Sequence, residues 1–110
     1  MTSSASPRRH IHVNAFHMNC VGHIHHGLWA HPQDRSTEYH TLKYWTDIAQ
    51  TLERGLFDGL FMADVIGYYD VYQGSNAAAF RGGVQIPVND PLQLANPIAS
   101  VTQHLGIGIT

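Results

Sequence analysis

Residues 19–32 read NCVGHIHHGLWAHP, placing one thiol, four imidazoles and an indole within fourteen positions. Imidazole and thiolate groups ligate zinc-type cations, and imidazole also moves protons near neutral pH. Cys20, His23, His25, His26 and His31 are therefore all candidate ligands or acid–base groups. The evenly spaced ligand pairs of a structural zinc site are absent, so metal is not the leading reading. A second chemical centre is Asp64, which closes the apolar run FDGLFMAD. A third is the stretch 65–89, which carries Tyr68, Tyr69 and Tyr72 among glycines and is too long for an idle connection.

These groups need elements to position them. Residues 10–16, HIHVNAF, alternate apolar and polar and predict a first strand. A helix is expected from Ser36, as its cap, to Arg54. Tyr39, Leu42, Trp45, Ile48, Ala49 and Leu52 form its apolar stripe, and Gly55 is its expected left-handed terminator. The nearly continuous apolar run Phe57 to Ala63 predicts a strand buried on both faces. A second helix starts at Asp90-Pro91 or Asn96-Pro97 and covers at least 97–105; starting at Asp90, it would kink at Pro97. A third strand begins near Leu105.

Strand, helix, strand, helix, strand is the order of a parallel α/β fold. Function in such folds collects where the strands end. The histidine-rich segment and Asp64 both follow strands, so parallel strands bring them to one end of the sheet. The segment GIGIT lies in strand and lacks the spacing of a dinucleotide fingerprint. Three strands leave both sheet edges open, so the chain reads as the opening portion of something larger, apparently truncated; a complete (β/α)8 barrel would need about 250 residues.

The chain has 110 residues, enough for one domain, and 44% of them are hydrophobic, enough for a packed core. Six basic residues spread thinly in a chain of net charge −2 supply no track for a phosphate backbone, so no nucleic-acid partner is expected. No apolar run of eighteen residues occurs, so no membrane partner is expected either. The leader MTSSASPRRH lacks the apolar stretch of a secretory signal. Residues 1–9 are expected to be disordered, with 10–110 as the domain. A single cysteine suits the reducing cytoplasm, the expected location.

The ordered set NAFHMNCVGHIHHGLW, YWTDIAQTLERGLFDGLFMADV, YDVY and VQIPVNDPL resembles the flavin-dependent monooxygenases of the bacterial-luciferase superfamily. Within it, the chain is most like the branch of nitrilotriacetate and dibenzothiophene-sulfone monooxygenases, and there like the members that oxidise long-chain alkanes. The resemblance spans residues 10 to 110. It implies a (β/α)8 TIM barrel that takes reduced FMN from a separate flavin reductase. One oxygen atom from O2 is then inserted into a small, mostly apolar organic substrate. The full-length protein is expected to be a homo-oligomer. Matched position by position, Asp64 would lie beside the flavin ring, and Cys20 and His23 would line the cavity near its reactive edge. Tyr69 and Gln85 would face the substrate. His25, His26 and His31 would be structural or solvated. His25 and Pro97 depart from the pattern of the alkane-oxidising members.

Two other readings compete. His23-x-His25 after a first barrel strand also resembles the ligand pair of barrel metallohydrolases. A non-catalytic truncated product is the third. On either flavin or metal chemistry, the 110 residues by themselves are expected to be inactive, because three strands cannot close a barrel around a dry cavity.

Overall fold

The computed structural model describes residues 9–24 and 27–110. Its framework is β1 (Asn14–Met18), α1 (Leu42–Arg54), β2 (Gly59–Ala63), α2 (Ala77–Gly82), α3 (Ala95–Val101) and β3 (Gly106–Ile109). Short 3-10 turns stand between them. The three strands form one parallel sheet in the order β1-β2-β3. Phe16 pairs with Phe61, and Phe61 with Gly108, so the same end of every strand faces the same way.

Side-chain alternation assigns the two faces of the sheet. Leu60 and Met62 point to the helices and are fully buried with Trp45, Ala49 and Ile98; Tyr44, Leu94 and Leu105 complete this core. The Trp45 indole N–H donates to the Tyr39 carbonyl at 2.7 Å, so its one polar atom is satisfied inside the core. On the opposite face, Phe16 and Phe61 stack with centroids 5.6 Å apart. Gly108 makes room for them: a Cβ there would stand 3.3 Å from the Phe61 ring. Phe16 stays 49% exposed. Parallel sheets are normally covered on both faces, and here the aromatic face is left partly uncovered.

Several expectations shift in detail. The first strand runs four residues later at its start than the alternation suggests, because pairing with β2 begins at Asn14↔Gly59. Ser36 does not cap the main helix. It opens a 3-10 turn (Ser36–Glu38), and its hydroxyl donates to the Val21 carbonyl at 2.9 Å. Thr41 is the cap of α1, its hydroxyl accepting from the Tyr44 amide at 3.3 Å. Gly55 is not the left-handed residue either: its φ is −79°, and Leu56 takes φ 60° instead. Phe57 N–H donates to the Leu52 carbonyl across that turn, closing the helix one residue beyond the glycine.

The stretch 65–89 is not a plain loop, since it contains a 3-10 turn (Tyr72–Gly74) and α2. Asp90 caps the 3-10 turn Pro91–Leu94 by accepting from the Leu92 amide at 2.8 Å, and α3 follows directly. Pro97 falls in the first turn of α3, where its missing N–H has no helical partner to lose, so no kink is required. The helix ends at Val101 rather than Leu105. Of the leader expected over 1–9, only Arg9 lies within the described residues.

Candidate functional site

Three chain segments meet beyond the carboxyl ends of β1 and β2. The segment after β1 is held by its backbone: Cys20 pairs with Val88 in an antiparallel bridge, and Asn89 N–H donates to the Asn19 carbonyl at 2.9 Å. Trp29 fastens the far side of the same segment, donating from its indole N–H to the Gly82 carbonyl at the end of α2 (3.1 Å). Together these contacts place the 85–90 stretch against residues 19–23.

Gln85 is the centre of the result. It is buried, at 4% exposure, and its backbone takes φ 56°, which for a side chain of this size costs about 1–2 kcal/mol. In that conformation its amide Nε2 donates to Nδ1 of His23 at 2.6 Å and reaches the Tyr69 hydroxyl at 3.5 Å. Because His23 Nδ1 accepts, its neutral ring carries the proton on Nε2. The His23 ring also lies 4.9 Å from Phe16, at the edge of the open aromatic face. His23, Tyr69 and Gln85 line one cleft of about 230 Å³ with Val65, Gly67 and Tyr68. Tyr68 is braced by Phe80 of α2, ring centroids 5.5 Å apart.

Three of the five residues singled out in the sequence thus converge. The other two stand apart. Cys20 is fully buried and does not line the cleft; burial pushes its thiol pKa up, with the Gly22 backbone pulling weakly the other way. A thiol so raised stays protonated at neutral pH and is a wall residue rather than a nucleophile. Asp64 directly follows β2 at the same end of the sheet, half-buried. Its backbone N–H donates to the Thr110 hydroxyl at 3.2 Å, and the residue lies outside the lining of the cleft.

One polar cluster went unread in the sequence. Met18 N–H donates to His17 Nδ1 at 2.8 Å, so His17 presents its Nε2 proton to the Tyr44 hydroxyl, 2.9 Å away. The ring packs 4.8 Å from Trp45. Burial lowers the His17 pKa and pushes Tyr44 up to about 12, so both are neutral at pH 7. Strand alternation is the signal that would have found it: His17 shares the helix-facing side with Ala15, a place where an imidazole needs a partner. His17 and His23 line a smaller cavity of about 160 Å³ with Trp29 and Asp34.

A flavin fits the cleft by the chemistry of its donors. Gln85, His23 and Tyr69 are hydrogen-bonding groups beside apolar walls, suited to the polar edge of a flat, largely apolar ring. No cationic side chain lines this cleft among the described residues, so a flavin phosphate would need another part of the protein. The metal alternative rests on His23 together with His25, and His25 lies outside the described residues.

No protein-family model matches the chain. It is 59% identical over 100 residues to long-chain alkane monooxygenase of Geobacillus thermodenitrificans (strain NG80-2), a match covering 91% of this chain and 23% of that protein. It is 50% identical over 103 residues to dimethyl-sulfide monooxygenase of Hyphomicrobium sulfonivorans, covering 94% and 22%. Nitrilotriacetate monooxygenase component A of Aminobacter aminovorans is 29% identical over 96 residues, covering 82% and 20%. The crystal structure of long-chain alkane monooxygenase (LadA) superposes with a TM-score of 0.89 at 57% identity, covering 93% of this chain and 24% of that one. Riboflavin lyase (RcaE), solved with modified FMN and riboflavin, superposes with a TM-score of 0.81 at 27% identity, covering 92% and 23%. The chain spans less than a quarter of the length of the curated relatives it matches. In sequence and in backbone, it is homologous to the luciferase-like flavin-dependent monooxygenases.

Proposed function

We propose that this chain is the opening segment of a luciferase-like (β/α)8 barrel that uses reduced FMN and O2 to oxygenate a small, mostly apolar organic substrate. The observation that carries the reading is the hydrogen-bonded trio His23–Gln85–Tyr69 in one cleft at the strand ends. The similarity to monooxygenases named for alkanes and dimethyl sulfide supports an apolar substrate class. The relative named as a component A supports a two-component arrangement, with a separate flavin reductase supplying the reduced cofactor. The full-length protein is taken to be a homo-oligomer, and residues 10–110 to belong to its barrel domain.

When bound, the flavin supplies the activation of dioxygen. The rest falls to the protein. His23 can hold its Nε2 proton toward an oxygen atom of the reacting pair, with Gln85 fixing that tautomer from the other side of the ring. Gln85 and Tyr69 orient polar atoms without bringing charge into an apolar cleft. Val65 and Tyr68 flank the cleft and help to exclude water, which would otherwise divert the oxidant. Cys20 supplies a compact apolar wall behind the loop, and Asp64 is assigned to the flavin ring.

The test uses the full-length protein with FMN, NADH and a flavin reductase, under 18O2. Incorporation of one labelled oxygen into an n-alkane or a dialkyl sulfide is the expected result. Failure of the full-length protein to retain FMN in equilibrium dialysis, or product formed without label, would overturn it.

A further inference from the structure

The opposite end of the sheet carries a second cluster that neither the flavin chemistry nor the core accounts for. We propose that His10, His12 and Asp58 form a binding site for one divalent transition-metal ion of the zinc type, at the amino-terminal ends of β1 and β2.

The geometry is specific. His10 and His12 flank Ile11 on the stretch entering β1, and their side chains converge on Asp58. Their rings stand 4.7 Å apart and edge-on. Nε2 of His10 and Nδ1 of His12 lie 3.3 and 3.2 Å from the same atom, Oδ1 of Asp58. The three donor atoms all lie within 4.8 Å of one another. Ligands bound to zinc at about 2.0–2.1 Å in a tetrahedron stand about 3.3–3.4 Å apart. Two of the three edges of the coordination face therefore already have the right length, and the third closes by turning an exposed imidazole.

The carboxylate is also fixed before any ion arrives. Its other oxygen, Oδ2, accepts from the Val13 amide at 2.7 Å, while Asp58 N–H donates to the Val13 carbonyl at 2.8 Å. Asp58 is thus locked to the strand entrance with Oδ1 turned toward both histidines. Two imidazoles and one carboxylate select zinc, nickel or copper over magnesium or calcium, which favour all-oxygen shells. Water fills the remaining position. The site lies at the end of the sheet remote from His23, Gln85 and Tyr69. A bound ion would tie the start of β1 to the turn between α1 and β2, a structural clasp rather than a reaction centre. The competing account is a metal-free cluster in which the two histidines simply share the carboxylate.

The test is calorimetric titration of the chelator-stripped full-length protein with zinc chloride, repeated with cobalt(II) followed by visible absorption. Expected are one zinc per chain, a tetrahedral cobalt spectrum, and a metal-dependent rise in Tm. His10→Gln and His12→Gln should each weaken zinc binding at least tenfold and abolish the rise in Tm, whereas His31→Gln should change neither. Asp58→Asn should also lose the ion but disturbs the Val13 contact, so the two exposed histidines decide the matter. No saturable uptake, affinity unchanged in both histidine variants, or loss on His31→Gln instead would each overturn the site.

Discussion

Gln85 and His23 stand sixty-two positions apart in the chain, yet Gln85 Nε2 donates to His23 Nδ1 at 2.6 Å. The bond sets which nitrogen of the imidazole carries its proton and ties the loop after β1 to the stretch leaving α2. Replacing the amide by an apolar side chain of similar size, Gln85→Leu, leaves the ring without that reference. In the full-length enzyme, His23→Gln should lower kcat by about 10²-fold, the low end of what a positioned proton donor contributes. Gln85→Leu should lower it less and shift its pH profile. Steady-state kinetics over pH 5.5–9 check both; unchanged profiles would remove His23 from proton transfer.

The core rests on Trp45. It is fully buried, its ring touches His17 and Tyr44, and its N–H is satisfied by Tyr39. Trp45→Ala should destabilise the protein by about 3–5 kcal/mol, the range for emptying a large aromatic site. Trp45→Phe should cost less, while leaving the Tyr39 carbonyl without its donor. Urea denaturation gives both values.

Leu56 is the reverse case, a position where a smaller residue helps. It is 87% exposed and takes φ 60°, a region that only glycine enters without strain. Leu56→Gly should stabilise by up to about 1 kcal/mol, the relieved strain being partly offset by a more flexible unfolded chain. A lower urea midpoint in the variant would contradict this.

Glu53 makes stability depend on acid. Its Oε1 accepts from the backbone amides of Gln103, His104 and Leu105 at 2.7, 2.6 and 3.1 Å, joining the end of α1 to the entrance of β3. Those amides, His104 first and then Gln103, hold the carboxyl below its ordinary pKa. A carboxyl depressed on folding contributes stability above its unfolded pKa, about 4.3, and loses it as pH falls through the folded value. Glu53→Gln should therefore lower Tm at pH 7, with the gap to the parent narrowing steadily below about pH 4.3. A gap that stays constant down to pH 3 would assign the effect to packing.

His17 adds a second acid-sensitive contribution from inside the helical layer. Burial lowers its pKa, so the folded state prefers the neutral ring. Stability from this group is full above the unfolded value, about 6.5, and falls as acid forces a proton onto the ring. His17→Phe should flatten the stability profile between about pH 6.5 and 5, measured by thermal melts across that window.

The alternation of Ile11, Val13 and Ala15, the stripe through Trp45 and Leu52, and the apolar run to Ala63 sufficed for the order of the three strands and the parallel sheet, but not for α2. Those patterns have periods of two and three-and-a-half residues, so a short stretch reveals which face it buries. The parallel arrangement, in turn, put the histidine-rich loop and Asp64 at one end of the sheet. Turn detail was less legible: Gly55 is the expected left-handed residue, but the hydrogen bond from Phe57 to Leu52 gives that conformation to Leu56.

Only the tertiary structure decided which side chains touch. Gln85 carries no local mark of function, and matters because its left-handed backbone aims an amide at a ring sixty-two positions away. His17 and Tyr44, and His10 and His12 with Asp58, likewise meet across the β1–β2 crossover. Periodicity fixes a residue's face, because that is a property of its own few neighbours. A distance of 3 Å between two atoms depends on how every intervening element packs, and no short stretch of sequence contains it.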